Sequence, residues 1–178
     1  MKLIFIRHGQ TMSNIKDICD DDPTKKTILT KKGEEQAQKA ANILKNKKID
    51  IIFTSEFYRT TETAYIINKY HQVKIKVDKR LDDRKTGFTG EPEKKFIKYL
   101  KDSGDFWNSK HGDGESFEEE KKRLVKFIKN LKKLSYKNIL IVTHMEPIQI
   151  IKGYIDNLNN ESILKIKIDN CVIMELNI

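Results

Sequence analysis

The chain of 178 residues has the length of one ordinary domain, and 38% hydrophobic with 34% charged residues, three prolines and eight glycines exclude disordered, collagen-like and membrane-spanning classes. Against 26 Asp and Glu stand 35 Lys and Arg, and the net charge of +9 suits an anionic partner, whether phosphate ester, nucleic acid or membrane surface, without choosing one. Two cysteines, Cys19 in a polar stretch expected to be exposed and Cys171 in an apolar one, exclude a disulfide framework and suit a reducing compartment.

Lys2 to Ile6 reads as a buried strand running into a loop at Gly9. Arg7 and His8 end its apolar run short of the roughly 7 to 15 residues a secretory signal needs, and no later run approaches the roughly 18 of a membrane helix, so a cytoplasmic location is expected. Thr30 caps a helix from Lys31 to Lys45 whose Ala37, Ala40, Ala41 and Leu44 share a face. A strand from Ile49 to Thr54, a helix from Glu56 to Tyr70 and a strand from Val73 to Val77 follow. The glycine-rich stretch 78–114, around a short helix from Lys94 to Lys101, reads as a small lid or loop insertion. Ser116 and Glu119 form a capping box for a long amphipathic helix carrying Phe117, Leu124, Phe127, Ile128, Leu131 and Leu134. Ile139 to Val142 is the most buried strand by pattern, then come a helix from Pro147 to Tyr154 and a hairpin-like pair, Ile163 to Ile168 with Cys171 to Leu176. Strands alternating with helices give one α/β domain, 1–178, a three-layer αβα sandwich whose ligand site lies beyond the carboxyl ends of the strands.

Three of those strand ends carry chemistry. His8 follows the first strand, Ser55 and Arg59 the second, and His144 the strand from Ile139. An imidazole attacks phosphorus only when its nitrogen is unprotonated, and the neighbouring Arg7 guanidinium disfavours the imidazolium by like-charge repulsion. Arginine's fork of donors suits phosphate oxygens, so Arg7 and Arg59 form a candidate clamp, with Thr11 and Asn14 as further donors and His144 to steady the transferring group. Gly9 lets the backbone approach a ligand closely. No clustered metal-ligand motif or P-loop is present.

Arg7-His8-Gly9-Gln10-Thr11 with Asn14, Leu29-Thr30 with Gly33, Gln36 and Ala37, Thr54-Ser55 with Arg59, Thr63 and Ala64, Gly114-Glu115-Ser116 with Arg123, and Val142-Thr143-His144 with Pro147 and Ile148 resemble, in order, the histidine phosphatase superfamily, the branch that includes cofactor-dependent phosphoglycerate mutase. The resemblance implies a mostly parallel sheet with an antiparallel edge strand, a phosphohistidine on His8, phosphoryl binding by Arg7, Asn14, Arg59 and His144, and no need of a metal or organic cofactor. The family's proton donor is commonly a glutamate in a Leu-x-Glu segment; here Leu81-Asp82-Asp83-Arg84 stands there, making Asp83 the aligned donor, with Asp82 and Glu146 as alternatives. Met145 and Glu146 replace the small glycines frequent after the second histidine, and Met145 is expected to narrow the pocket.

The expected activity is hydrolysis of a phosphorylated small molecule. The alternatives are a phosphoglycerate mutase, disfavoured by the short lid, and a protein phosphohistidine phosphatase. A nucleic-acid-binding module, suggested only by charge, is the reading from another class; the scattered lysines read instead as a solvated face, with no nucleic-acid or membrane partner. Arg80, Arg84, Lys85, Lys94 and Lys95 border the presumed mouth, His71 and His111 read as exposed polar residues, and Phe106, Trp107 and Phe117 line the mouth or simply pack. The substrate and the oligomeric state stay open.

Overall fold

A computed structural model describes residues 1–178. Five strands, β1 (Lys2–Arg7), β2 (Ile51–Thr54), β3 (Ile75–Val77), β4 (Asn138–Thr143) and β5 (Ile173–Asn177), form one sheet in the order β3-β2-β4-β1-β5. The first four neighbours run parallel and β5 pairs antiparallel with β1, the expected edge. Near-continuous apolar runs such as Leu3-Ile4-Phe5-Ile6 suit strands covered on both faces.

Alternation along the strands divides the core into two layers. Leu3, Phe5, Ile139 and Ile141 pack beneath α5 (Phe117–Leu131) and α6 (Met145–Ile155), whose inner residues include Leu124, Phe127 and Ile148. Ile4, Ile6, Leu140 and Val142 face α2 (Lys31–Leu44) and α3 (Tyr58–Asn68) through Ala40, Ala41, Leu44, Ala64 and Ile67. A third, smaller cluster joins Cys19 to Phe96 and Leu100 of α4 (Glu93–Asp102), with Phe88, Tyr99 and Phe106 around it. Cys19 is therefore buried rather than exposed, because α4 lies over it. The neighbouring Asp21 carboxylate accepts from the Thr86 and Gly87 N–H groups and the Thr86 and Thr89 hydroxyls, tying this segment to the loop before α4.

The expected C-terminal hairpin is not formed. Asn159 caps a short helix, α7 (Asn160–Leu164), that buries Ile163 against Gly153 of α6, and β5 pairs with β1 instead. The apolar alternation through Ile166 and Ile168 suggested a strand, but its carbonyls accept from side chains: Gln149 donates to Ile166 and Arg7 to Ile168. Two short elements escaped the periodicity, α1 (Met12–Lys16), closed by a Thr11–Asn14 capping box, and a 3-10 turn at Lys79–Leu81. No helix is long and apolar enough to cross a membrane.

Candidate active site

His8 continues the ladder beyond β1: its N–H donates to the Thr143 carbonyl (2.9 Å), and its own carbonyl accepts from the Asn170 amide (2.8 Å). The next turn is shaped by two glycines in reciprocal contact. A Cβ on Gly9 would stand 2.5 Å from the Gly33 carbonyl oxygen, and one on Gly33 would stand 2.2 Å from that of Gln10, so only glycines let the loop and the start of α2 meet. Thr30 reinforces the contact, its N–H donating to the Gln10 carbonyl (2.9 Å).

The loop leads into a pocket of about 150 Å³ shared by Arg7, His8, Arg59, Asp83, Arg84 and Glu146. His8 is almost fully buried. Its Nδ1–H donates to the Gly9 carbonyl (2.7 Å), which leaves the lone pair on Nε2, where the Nε–H of Arg59 donates at 3.1 Å. Burial first, then the Arg59 and Arg7 charges, hold its pKa well below the ordinary histidine value. The ring is thus a neutral imidazole with a defined tautomer.

Arg59, on α3, is buried over the Phe57 ring (4.3 Å). Its other nitrogens donate to the Asp20 carboxylate (3.3 Å), the Asp20 carbonyl (3.0 Å) and Asp83 Oδ2 (3.4 Å). Arg7 donates to the Ile168 carbonyl (2.8 Å), touches Met145 Sδ (3.8 Å), and keeps its Nε buried without a partner. Met145 accordingly lines the pocket beside Arg7. Asn14 and Thr11 also line it, but the Asn14 Oδ1 is occupied by the Thr11 N–H (3.0 Å) and hydroxyl (3.2 Å), which leaves the Asn14 amide N–H groups for an anion.

His144 sits just before α6, its ring centroid 5.2 Å from that of His8. The Thr60 hydroxyl is committed to the Phe57 carbonyl (2.7 Å), so the Ser55 hydroxyl donates to Thr60 (2.7 Å) and accepts from His144 Nε2–H (2.9 Å). That leaves His144 Nδ1 buried, unpartnered and 3.6 Å from Asp83 Oδ2. Burial, then Arg59 and His8, hold the His144 pKa well below its ordinary value.

Of the three candidate acids, Asp83 faces this group. Burial pushes its pKa up to about 6; Arg59 opposes the shift and the Glu146 carboxylate adds to it. Asp82, also pushed up to about 6 by burial, accepts from the Glu56 N–H (2.8 Å) and opens on a neighbouring hollow beside Lys79 and Arg123. Glu146 is ion-paired to Arg84, which donates to Oε2 (2.9 Å) and holds its Nε 2.7 Å from Oε1.

Of the five basic residues expected at the mouth, only Arg84 lines the pocket. Arg80 pairs with Asp78 (2.6 Å), Lys85 with Asp113 and Lys95 with Glu91 (2.6 Å), while Lys94 is exposed on α4. Phe117 is core, Trp107 packs against it and Phe106 joins the α4 cluster. His111 is exposed as expected; His71 is half-buried, and neither lines the pocket. Asp20, Asn170 and the Ile168 carbonyl went unsuspected, since the sequence places them in loops with no pattern of their own.

A family model described as "Histidine phosphatase superfamily (branch 1)" matches residues 3–178. The chain is 31% identical over 185 residues, 98% of its length and 88% of the relative's, to a Hydrogenobacter thermophilus protein provisionally named phosphoserine phosphatase 2. It is 26% identical over 218 residues, 99% of this chain and 90% of the other, to the 2,3-bisphosphoglycerate-dependent phosphoglycerate mutase of Methanococcus vannielii. The crystal structure of the alpha-ribazole phosphatase from Shigella flexneri shares the fold with a TM-score of 0.90 at 24% identity, covering 100% of this chain and 91% of that one.

Proposed function

This chain belongs to the histidine phosphatase superfamily, branch 1, and from that premise we propose that it hydrolyses small phosphomonoesters through a phosphohistidine on His8, with neither metal nor organic cofactor. The observation that carries the reading is the state of His8: a buried, neutral imidazole whose Nε2 lone pair meets only the Arg59 N–H, in one pocket with Asp83. Arg7, Arg59 and the Asn14 amide take the phosphoryl oxygens. His144 Nδ1, unpartnered at rest, becomes a further donor once the ring takes up a proton. The His8 Nε2 lone pair attacks phosphorus in line, the bond to the ester oxygen breaks with its electron pair staying on that oxygen, and the Asp83 carboxyl protonates it. Water then attacks the phosphohistidine and gives its proton to the Asp83 carboxylate, while the P–N electron pair returns to Nε2.

A mutase must keep the phosphohistidine from water while its acceptor turns over. The Asp83 side chain is 35% exposed at the pocket, which supports hydrolysis. Relatives named for phosphoserine and for alpha-ribazole phosphate point to a small phosphorylated metabolite, which a pocket of about 150 Å³ also favours. Hydrolysis of an aryl phosphate with excess chelator, wild type beside His8→Ala, tests the reading. Activity that persists with chelator and disappears in the variant is expected; equal activity in both proteins rejects His8 as nucleophile.

A further inference from the structure

Asp83 Oδ2 has only long polar contacts, 3.4 Å to Arg59 and 3.6 Å to His144, too loose to fix a carboxyl by themselves. Its position comes from the chain on either side. Before it, the buried Leu81 carbonyl accepts from the Thr143 hydroxyl (2.5 Å) and Asp82 is held on the Glu56 N–H (2.8 Å). After it comes Arg84, which is only 5% exposed, and beyond that the Lys85 carbonyl accepts from the Glu115 N–H (2.6 Å).

The Arg84 guanidinium lies 4.9 Å above the Phe96 ring, within 2.7 and 2.9 Å of the two Glu146 oxygens and 3.8 Å from Glu120. Glu120 is fully buried, burial beside Glu146 raises its pKa well above the ordinary carboxylate value, and Arg123 also donates to it (3.3 Å). With two carboxyl groups turned on it, the Arg84 guanidinium is not free to serve as an anion-binding site. Nor is such a pair the cheapest way to fill the space, because apolar side chains of equal volume are commonly as stable as a buried ion pair. What the pair adds is direction: one Arg84 N–H donates to a Glu146 oxygen (2.9 Å) while Nε is packed 2.7 Å from the other oxygen and the guanidinium face lies on Phe96, which together hold one orientation. Glu146 stands two residues after His144, and Arg84 is the residue after Asp83.

We infer that the Arg84–Glu146 pair is the positioning device of the proton donor, locking the Asp83 segment to the start of α6 so that Asp83 meets the leaving-group oxygen beside His144. The inference rests on the proposed role of Asp83. Arg84 and Glu146 act through Asp83 and are positioning residues, not catalytic ones.

Leaving-group dependence separates this role from a merely structural one. An aryl phosphate whose leaving group departs as a stable anion needs little help from an acid, whereas an alkyl phosphate such as glycerol phosphate needs much. The ratio of the two kcat/KM values reads only steps up to departure of the leaving group, so hydrolysis of the phosphohistidine does not enter. In Asp83→Asn the aryl-to-alkyl ratio is expected to widen by about a hundredfold, and in Arg84→Met and the Arg84→Met/Glu146→Leu double variant by about tenfold. Arg84→Lys should recover part of the loss.

Arg84→Met leaves a carboxylate unpaired and is prone to misfolding; the double variant removes that charge, and the isosteric Glu146→Gln decides if neither Arg84 variant folds. A ratio unchanged in the folded variants, or an equal fall with both substrates, while Asp83→Asn widens it, overturns the positioning role and leaves Asp83 standing. A ratio unchanged in Asp83→Asn overturns the Asp83 reading itself.

Discussion

Arg59→Gln withdraws a charge from a site 3% exposed, and with it the N–H on His8 Nε2 (3.1 Å) and the ion pair to Asp20 (3.3 Å). Loss of one well-placed donor from a transition state costs about a hundredfold to a thousandfold in rate, and kcat/KM should fall by that much. The pH profile carries the sharper signal. After burial, Arg59 is the largest cause of the lowered His8 pKa, so in the variant His8 titrates closer to the ordinary histidine value and the acid limb moves up. Arg59 also holds Asp83 down, so the alkaline limb, near pH 6 in the free enzyme, moves up as well. Both limbs move the same way, whereas local distortion would lower the curve without displacing it. Asp20 keeps the Ser13 hydroxyl (3.0 Å) but loses its cation, and breaking a buried ion pair costs roughly 3–5 kcal/mol, which lowers Tm by roughly 6–20 °C in a chain of this length. Initial rates on one alkyl phosphate across acidic and neutral pH, with thermal unfolding alongside, make the measurement. A profile that does not move, or a kcat/KM within about threefold of wild type, refutes the assignment of Arg59 to both the nucleophile and the phosphoryl group.

Wild-type kcat/KM on an alkyl phosphate requires neutral His8 and protonated Asp83, so it should peak on the acid side and fall above about pH 6; a plateau through neutral pH removes Asp83 as the acid. The raised Asp83 pKa means that the folded state favours the protonated carboxyl, so that stabilisation is complete below the ordinary value of 3.8 and is lost as pH rises through about 6. Asp83→Asn should therefore raise stability at mildly alkaline pH by on the order of 1 kcal/mol after solvent screening of a one-third exposed side chain, about 2–4 °C in Tm, and the gain should vanish in acid; a variant less stable than wild type throughout contradicts it. Gly33→Ala drives a Cβ into the Gln10 backbone, and overpacking of this kind costs roughly 1–3 kcal/mol. Lower Tm with reduced activity is expected, while wild-type values for both would mean that the His8 loop has slack.

What the sequence revealed was what short-range order encodes. Leu3 to Ile6 and Ile139 to Val142 are unbroken apolar runs, Thr30 and Ser116 stand at real helix starts, and His8 and His144 follow strands that the sheet places side by side. The Thr11–Asn14 box was legible in principle, but α1 has five residues, too few for a periodic signal. Ile163 misled because alternation at 166 and 168 has two explanations, a ladder or side chains bonding the carbonyls, and the partners Gln149 and Arg7 lie far away in sequence. Glu146 drew notice as an odd residue after the second histidine, yet its partner Arg84 is 62 positions earlier, and only the fold joins them.

The two walls of the pocket are built on foundations of unequal strength. The His8 amide is bonded within the sheet, so hydrogen exchange there should require global unfolding. Cys19 and Phe96, which line the opposite wall, belong to the small cluster under α4, with three buried residues against the seventeen and eleven of the main layers. That wall can open or repack without disturbing the sheet that carries His8, but it also holds Arg59 through Asp20 and Arg84 through Phe96. The pocket mouth and the sheet that carries His8 thus rest on separate layers, and amides in α4 should exchange well before those of β1.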